Sequence, residues 1–219
     1  GIMIDLSHPS KKANLEMLAL SKAPVIASHS SARALCEHPR NLDDEQLLAI
    51  KKNGGVVQTV ALGSYLNAEK VKSFNLLRDS IYKNSASKIG VEMISMRELR
   101  RLPVSEISKY RANYKKIVAA SKSEIEEIKK IAPPVSVIDF VNHIDYLVKT
   151  MGINHVGISS DFDGGGGIEG WGDASETLNV TKELLNRGYN QQEIRKIWGD
   201  NLLRVMEEVE NVSKKLQEK

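Results

Sequence analysis

Three polar residues follow directly on short apolar runs: His8 after GIMIDLS, His29 after APVIAS and Asp161 after HVGISS. Imidazole and carboxylate groups ligate divalent metals and move protons, so hydrolytic and metal chemistry come first to mind. His8 and His29 lie 21 residues apart, about one strand and its crossover helix. Such residues would project from adjacent parallel strands toward one mouth, which suits two nitrogen ligands on one zinc ion. A single histidine at a strand end is ordinarily just a hydrogen-bonded polar residue. Two in equivalent places weaken that reading.

Asp161 opens the sequence DFDG and has three roles open to it: metal ligand, general acid or base, or cap of a turn rich in Asp and Gly. Arg40, in CEHPRN eleven residues after His29, falls in the loop after a strand. There a guanidinium can hold a substrate carboxylate through two parallel hydrogen bonds, although a lone loop arginine is more often simply solvated. His143 falls inside a helical stretch, His155 begins a strand, and His38 stands out only as a neighbour of Arg40; all three read as structural. Cys36 has no His and acid partners arranged for nucleophilic catalysis and reads as packing. Asp161, Asp163 and the four glycines 164–167 lack the further oxygen ligands and closing Glu of a calcium loop. No phosphate-binding or dinucleotide fingerprint is present.

These residues need elements to position them. GIMIDLSH, a helical stretch from Lys11 to Ser21 and APVIASHS read as strand, helix, strand, because buried parallel strands are short continuous apolar runs. Asp43 to Asn53 has helical spacing with acidic residues at its start, and GGVVQTVAL follows as a third strand. Residues 67–131 are long, charged and helical in periodicity, which predicts a helical insertion ended by Pro133 and Pro134. Val137 to Met151 is an amphipathic helix, HVGISSDFDG a fourth strand entering a Gly-rich loop, and two helices, Ser175 to Arg187 and Gln191 to about Lys215, close the chain. Alternating β and α elements imply a parallel α/β sheet, doubly wound or a (β/α)8 barrel, and four units make half a barrel.

Composition narrows the class. The 219 residues are 41% hydrophobic and 27% charged, as in ordinary globular proteins. The net charge of +3 comes largely from a stretch between Lys70 and Lys130 where acids are interleaved, a solvated helical face and not a nucleic-acid stripe. One cysteine excludes an intrachain disulfide. No apolar run reaches the 18 residues a membrane span needs, and no signal peptide is seen at the start. The chain opens within a strand-like run, so it is expected to be cut or processed; cytoplasmic and exported locations both stay open.

The segments IDLSHPS, APVIASHSSARALCEHPRN, HVGISSDFDG and GDNLLRVMEEVE are together very similar, in order and spacing, to the renal (membrane) dipeptidase family. The resemblance runs over nearly the whole chain and is weakest in the charged insertion. It implies the C-terminal part of a single (β/α)8 metallohydrolase barrel over residues 1–219, with a helical insertion at about 67–131 and two zinc ions bridged by a glutamate. By that resemblance His8 and His29 match two histidine ligands of one zinc, Arg40 the arginine that holds the substrate's terminal carboxylate, and Asp161 the aspartate near the scissile bond. Tyr65 falls near a substrate-loop tyrosine, in a loosely matching region. The family's early His-x-Asp pair, bridging glutamate and a further substrate-binding histidine lie upstream of Gly1. The implied partners are therefore a dipeptide substrate and either an N-terminal half of the barrel or a second copy of the chain. Two other readings remain at this stage: a noncatalytic fragment with one weakly bound metal at most, and a related metal-dependent amide or lactone hydrolase.

Overall fold

The computed structural model describes residues 1–218, the side chain of Met96 apart. It is a mixed α/β fold, mostly helical, in two compact units: Gly1–Ala68 with Val135–Lys219, and Glu69–Pro134.

In the first unit, β1 (Ile26–Ala27), β2 (Val56–Val60) and β3 (Val156–Ser159) form a parallel sheet in that order. Ile26 stands opposite Val56, and Val57 opposite Val156. The first apolar run, expected as a full strand, makes one parallel bridge from Asp5 to Ile26. It is held there by Leu6 N–H on the Ile26 carbonyl at 2.8 Å and Ile26 N–H on the Ile4 carbonyl at 2.9 Å.

Helix α1 (Lys11–Leu20) is capped by Ser10, and α2 (Asp44–Asn53) by Asp43 with Gln46 in a reciprocal capping box, an arrangement worth about 1 kcal/mol. A short turn of helix, α3 (Gly63–Leu66), follows β2. The second unit holds α4 (Ala68–Lys88, of which Ala68 belongs to the first unit), α5 (Met96–Leu99) and α6 (Val104–Ile131). There the Ser121 hydroxyl donates to Ser85 at 2.8 Å in a buried contact, and Tyr82 meets Tyr114 edge-on.

Back in the first unit, α7 (Val137–Met151) buries Phe140, Val141, Ile144, Leu147 and Met151 along one face, as its apolar spacing of three and four residues requires. Truncating Phe140 to Ala would cost about 3–5 kcal/mol. Next come α8 (Thr177–Asn186), α9 (Gln191–Arg195), a π-helical turn at Lys196–Asp200 and α10 (Asn201–Gln217). Val205 and Val209 of α10 close a core with Ile26 and Val56.

The segment GDNLLR has a structural task at the N-terminal ends of the strands. Asn201 is buried and donates to the carbonyls of Ile153 and Val156, while Arg204 donates to those of Gly54 and Asn154. Among the described residues no helix is long and apolar enough to cross a membrane.

Candidate metal and substrate site

Because the first segment and β1 run parallel and in register, the chain leaves both at the same end of the sheet, and the residues just beyond meet. The rings of His8 and His29 lie 4.9 Å apart, tilted by 58°, with their Nε2 atoms 2.9 Å apart. His29 is held by its own amide, which donates to Ser7 Oγ at 2.8 Å.

Arg40 reaches the pair through a folded loop. Leu42 N–H bonds the Ser31 carbonyl, and Arg33 N–H the Leu42 carbonyl, both at 2.9 Å. Buried Asn41 accepts from the Ser31 amide and donates to the carbonyls of Cys36 and Tyr65. That anchor points Arg40 back at the histidines: Nε donates to the Ser7 carbonyl at 2.9 Å and Nη2 lies 3.2 Å from His29 Nε2. These contacts occupy the Nε–Nη2 edge of the guanidinium, so the Nη1–Nη2 edge remains for a planar acceptor such as a carboxylate. Tyr65, which the sequence left unassigned, sits with its ring 5.7 Å from the guanidinium and packs on His38 at 4.2 Å, tilted by 31°. Partial burial, then the charges of Arg40 and Arg33, hold the His38 pKa below its usual range. A cleft of about 390 Å³ adjoins His8 and Arg40 and is lined also by Lys11, Asn14 and Arg33, within the size range of small-molecule sites.

Two residues of this cluster escaped the sequence reading. Asp5 Oδ1 accepts the amides of Ser7 and Ser28, each at 3.0 Å, while Oδ2 accepts the Ser28 hydroxyl at 2.5 Å. Partial desolvation opposes ionisation of Asp5, but the Ser28 hydroxyl, the two amides and the nearby charge of His29 together hold its carboxyl below the usual range. Ser28 Oγ in turn lies 2.7 Å from His29 Nδ1. The available signal was the Ser-His dipeptide, which occurs twice, at 7–8 and 28–29.

Asp161 stands two residues beyond β3, at the same end of the sheet. Two strand spacings, about 10 Å, separate its strand from that of His29, and among the described residues no hydrogen bond or ion pair joins it to the histidines. Its backbone is left-handed (φ 52°, ψ 34°), and it is the only non-glycine with positive φ among the described residues. Such a conformation persists only where surrounding contacts impose it. Here the Asp161 carbonyl accepts from Gly164 and Gly166, Gly167 N–H bonds the Ala61 carbonyl beyond β2, and Phe162 packs edge-on against buried Trp171.

The other histidines and the cysteine make hydrogen bonds within the fold. His143 is buried, accepting the Ala32 amide at Nδ1 and donating from Nε2 to the Leu66 carbonyl. His155 bonds the Gly55 carbonyl, and buried Cys36 donates to the Ser64 carbonyl.

His8 and His29 suit a transition metal in donor type. Their nitrogens stand a few tenths of an ångström closer than the roughly 3.3 Å between neighbouring ligands of a tetrahedral ion with 2.0–2.1 Å bonds. They are only two, since among the described residues no group of three or more His, Cys, Asp or Glu side chains is placed to hold a metal.

A sequence profile of the membrane dipeptidase family, Peptidase family M19, matches residues 1–219. The chain is 31% identical over 222 residues to dipeptidase verJ of Clonostachys rogersoniana, covering 100% of this chain and 40% of that protein. It is 30% identical over 214 residues to dipeptidase ataJ of Aspergillus terreus, covering 97% and 37%. Among solved structures, the probable dipeptidase PvdM of Pseudomonas aeruginosa superposes with a TM-score of 0.66 at 35% identity, covering 96% of this chain and 51% of that one. A metallopeptidase of Rhodobacter sphaeroides, liganded with a phosphinate mimic of L-Ala-D-Ala, shares the fold at a TM-score of 0.62 and 24% identity, covering 94% and 42%. The chain therefore spans about half the length of these relatives or less.

Proposed function

Since the chain belongs to the membrane dipeptidase family of metallopeptidases, we propose that it contributes part of the active site of a zinc-dependent dipeptidase. The observation that carries this reading is the convergence of His8, His29 and Arg40 on one spot from three separate segments.

In this reading the chain is the C-terminal half of a (β/α)8 barrel, and residues 67–131 or so are a helical insertion. The missing ligands come from an N-terminal half or, failing that, from a second copy of the chain. His8 and His29 would hold one of two zinc ions. Zinc in such a site supplies Lewis-acid polarisation of a carbonyl and a water acidic near neutral pH.

The chain's own residues do the rest. Arg40 receives the terminal carboxylate of the substrate on its Nη1–Nη2 edge, so the peptide bond next to the C-terminal residue, the single one a dipeptide has, is fixed at a set distance. Asp161, held at the same end of the sheet, accepts the proton released by the attacking water and passes it to the leaving amine.

The test compares a dipeptide with its C-terminally amidated form in the assembled enzyme. A fall in kcat/KM of about 10- to 100-fold on amidation, and a comparable fall for Arg40→Lys, is expected because lysine lacks the planar fork. Equal kcat/KM for both substrates would remove Arg40 from this role. Turnover of a lactone or lactam without turnover of dipeptides would favour a related hydrolase.

A further inference from the structure

We infer that Asp5 and Ser28 form a hydrogen-bond relay that fixes His29 with its ring proton on Nδ1, making both of them positioning residues for a metal at His29 Nε2. The second half of this statement rests on the metal-ligand reading of His29; the tautomer does not.

The supply of protons sets the tautomer. A carboxylate can only accept, so the hydroxyl within 2.5 Å of Asp5 Oδ2 must direct its proton there. Ser28 Oγ has a single proton. Its 2.7 Å contact with His29 Nδ1 therefore leaves the ring nitrogen to donate. The opposite side of the ring gives the same answer independently: a guanidinium can only donate, so Arg40 Nη2, at 3.2 Å, requires a lone pair on His29 Nε2. A lone pair there is what a metal ligand needs, and partners that hold the other ring nitrogen fix both tautomer and ring orientation.

His8 is not held in this way. One proton must lie between the two Nε2 atoms 2.9 Å apart, and with His29 accepting, that proton sits on His8. Among the described residues nothing bonds His8 Nδ1. His29 is thus the preset ligand, and His8 the one whose proton must move when a metal binds.

Asp5→Asn gives the sharpest test. Both amides bonded by Asp5 point at Oδ1, so the asparagine oxygen stays there and its NH₂ group replaces Oδ2. The NH₂ then donates to Ser28, which must turn its own proton toward His29 Nδ1.

Ring nitrogens of the 15N-labelled chain are observed in two-bond 1H–15N spectra with chelator present, at about pH 8, where histidine is neutral. The expected wild-type pattern for His29 is a protonated Nδ1 and a bare Nε2. Asp5→Asn should move population to the Nε2-protonated form, and Ser28→Ala should yield a mixture. A wild-type His29 protonated on Nε2, or both variants keeping the wild-type pattern, overturns the relay.

Zinc titration of the same proteins reads the positioning role, with a loss of about 10- to 100-fold in affinity expected for each variant. A shifted tautomer with unchanged zinc affinity overturns that role. The dipeptide assay judges the parent reading separately, since neither spectrum nor titration depends on turnover.

Discussion

His143 and His29 carry the same imidazole, yet their nitrogens are committed in opposite senses. The Ala32 amide puts the proton of His143 on Nε2, whereas Ser28 and Arg40 put that of His29 on Nδ1. Burial, only partly opposed by the Leu66 carbonyl and Asp139, lowers the pKa of His143. Below an unfolded-state pKa of about 6.5 the unfolded chain takes up a proton that the folded one resists, so stability is full above that pH and falls as the solution is acidified. The urea midpoint should drop from pH 7 to 5, with a slope of up to about 1.4 kcal/mol per pH unit from this group. His143→Gln should be less stable at pH 7.5 but lose less on acidification. At this scale the meeting of His8 and His29 was legible from residue type and position after an apolar run, and that of Arg40 from its loop and the family resemblance. Asp5 and Ser28 were not, because their contact depends on the parallel register that pairs Asp5 with Ile26 and so brings its carboxylate to Ser28, and no periodicity encodes a register.

The loop that carries Asp161 works through close backbone approach more than through flexibility. A Cβ on Gly166 would stand 1.9 Å from the Ser160 carbonyl oxygen and 2.7 Å from that of Asp161, and one on Gly164 would stand 2.3 Å from Asp161 Oδ1. Gly166→Ala is expected to cost about 1–3 kcal/mol in a urea melt, as other forced overpacking does, and to lower kcat more than it raises KM in the assembled enzyme. Gly199→Ala in the π-helical turn is the control. Its Cβ would meet nothing within 4 Å, so no loss is expected, and the added helix propensity should stabilise by up to about 1 kcal/mol. Elements with a strong period read true from the sequence: α7 spans Val137–Met151, the bounds the apolar spacing predicts. The first two strands read less well. Their apolar runs are long, but hydrogen-bonded pairing covers only Ile26–Ala27 and a single bridge at Asp5, and hydrophobicity reports burial, not pairing.

For the molecule as a whole, the sheet edges matter most. Among the described residues the outer side of the Asp5 segment and that of β3 pair with no further strand, and Ile2 on the first segment is 91% exposed. Open edges with apolar side chains favour association with another strand. Sedimentation of the purified chain alone should show self-association that grows with concentration. Co-expression with a polypeptide matching the N-terminal part of a relative should replace it by a one-to-one complex and raise bound zinc toward about two ions, as in two-metal hydrolytic sites. A monodisperse monomer that gains no metal on co-expression would count against the half-barrel reading. The order of events along the chain is also set by the way the site is divided. Asp5, His8, Ser28, His29, Arg40 and Tyr65 all fall within the first 65 residues and touch across separations of 21 to 33 residues, against 106 between Ala61 and Gly167, so their loops close at lower entropic cost. Asp161 must wait for β3 and the aromatic packing around Trp171. In pulse-labelled refolding, the amides of Ser28 and His29 should therefore gain protection before that of Gly167, which bonds the Ala61 carbonyl, so the histidine cluster would form first and the loop that carries Asp161 last.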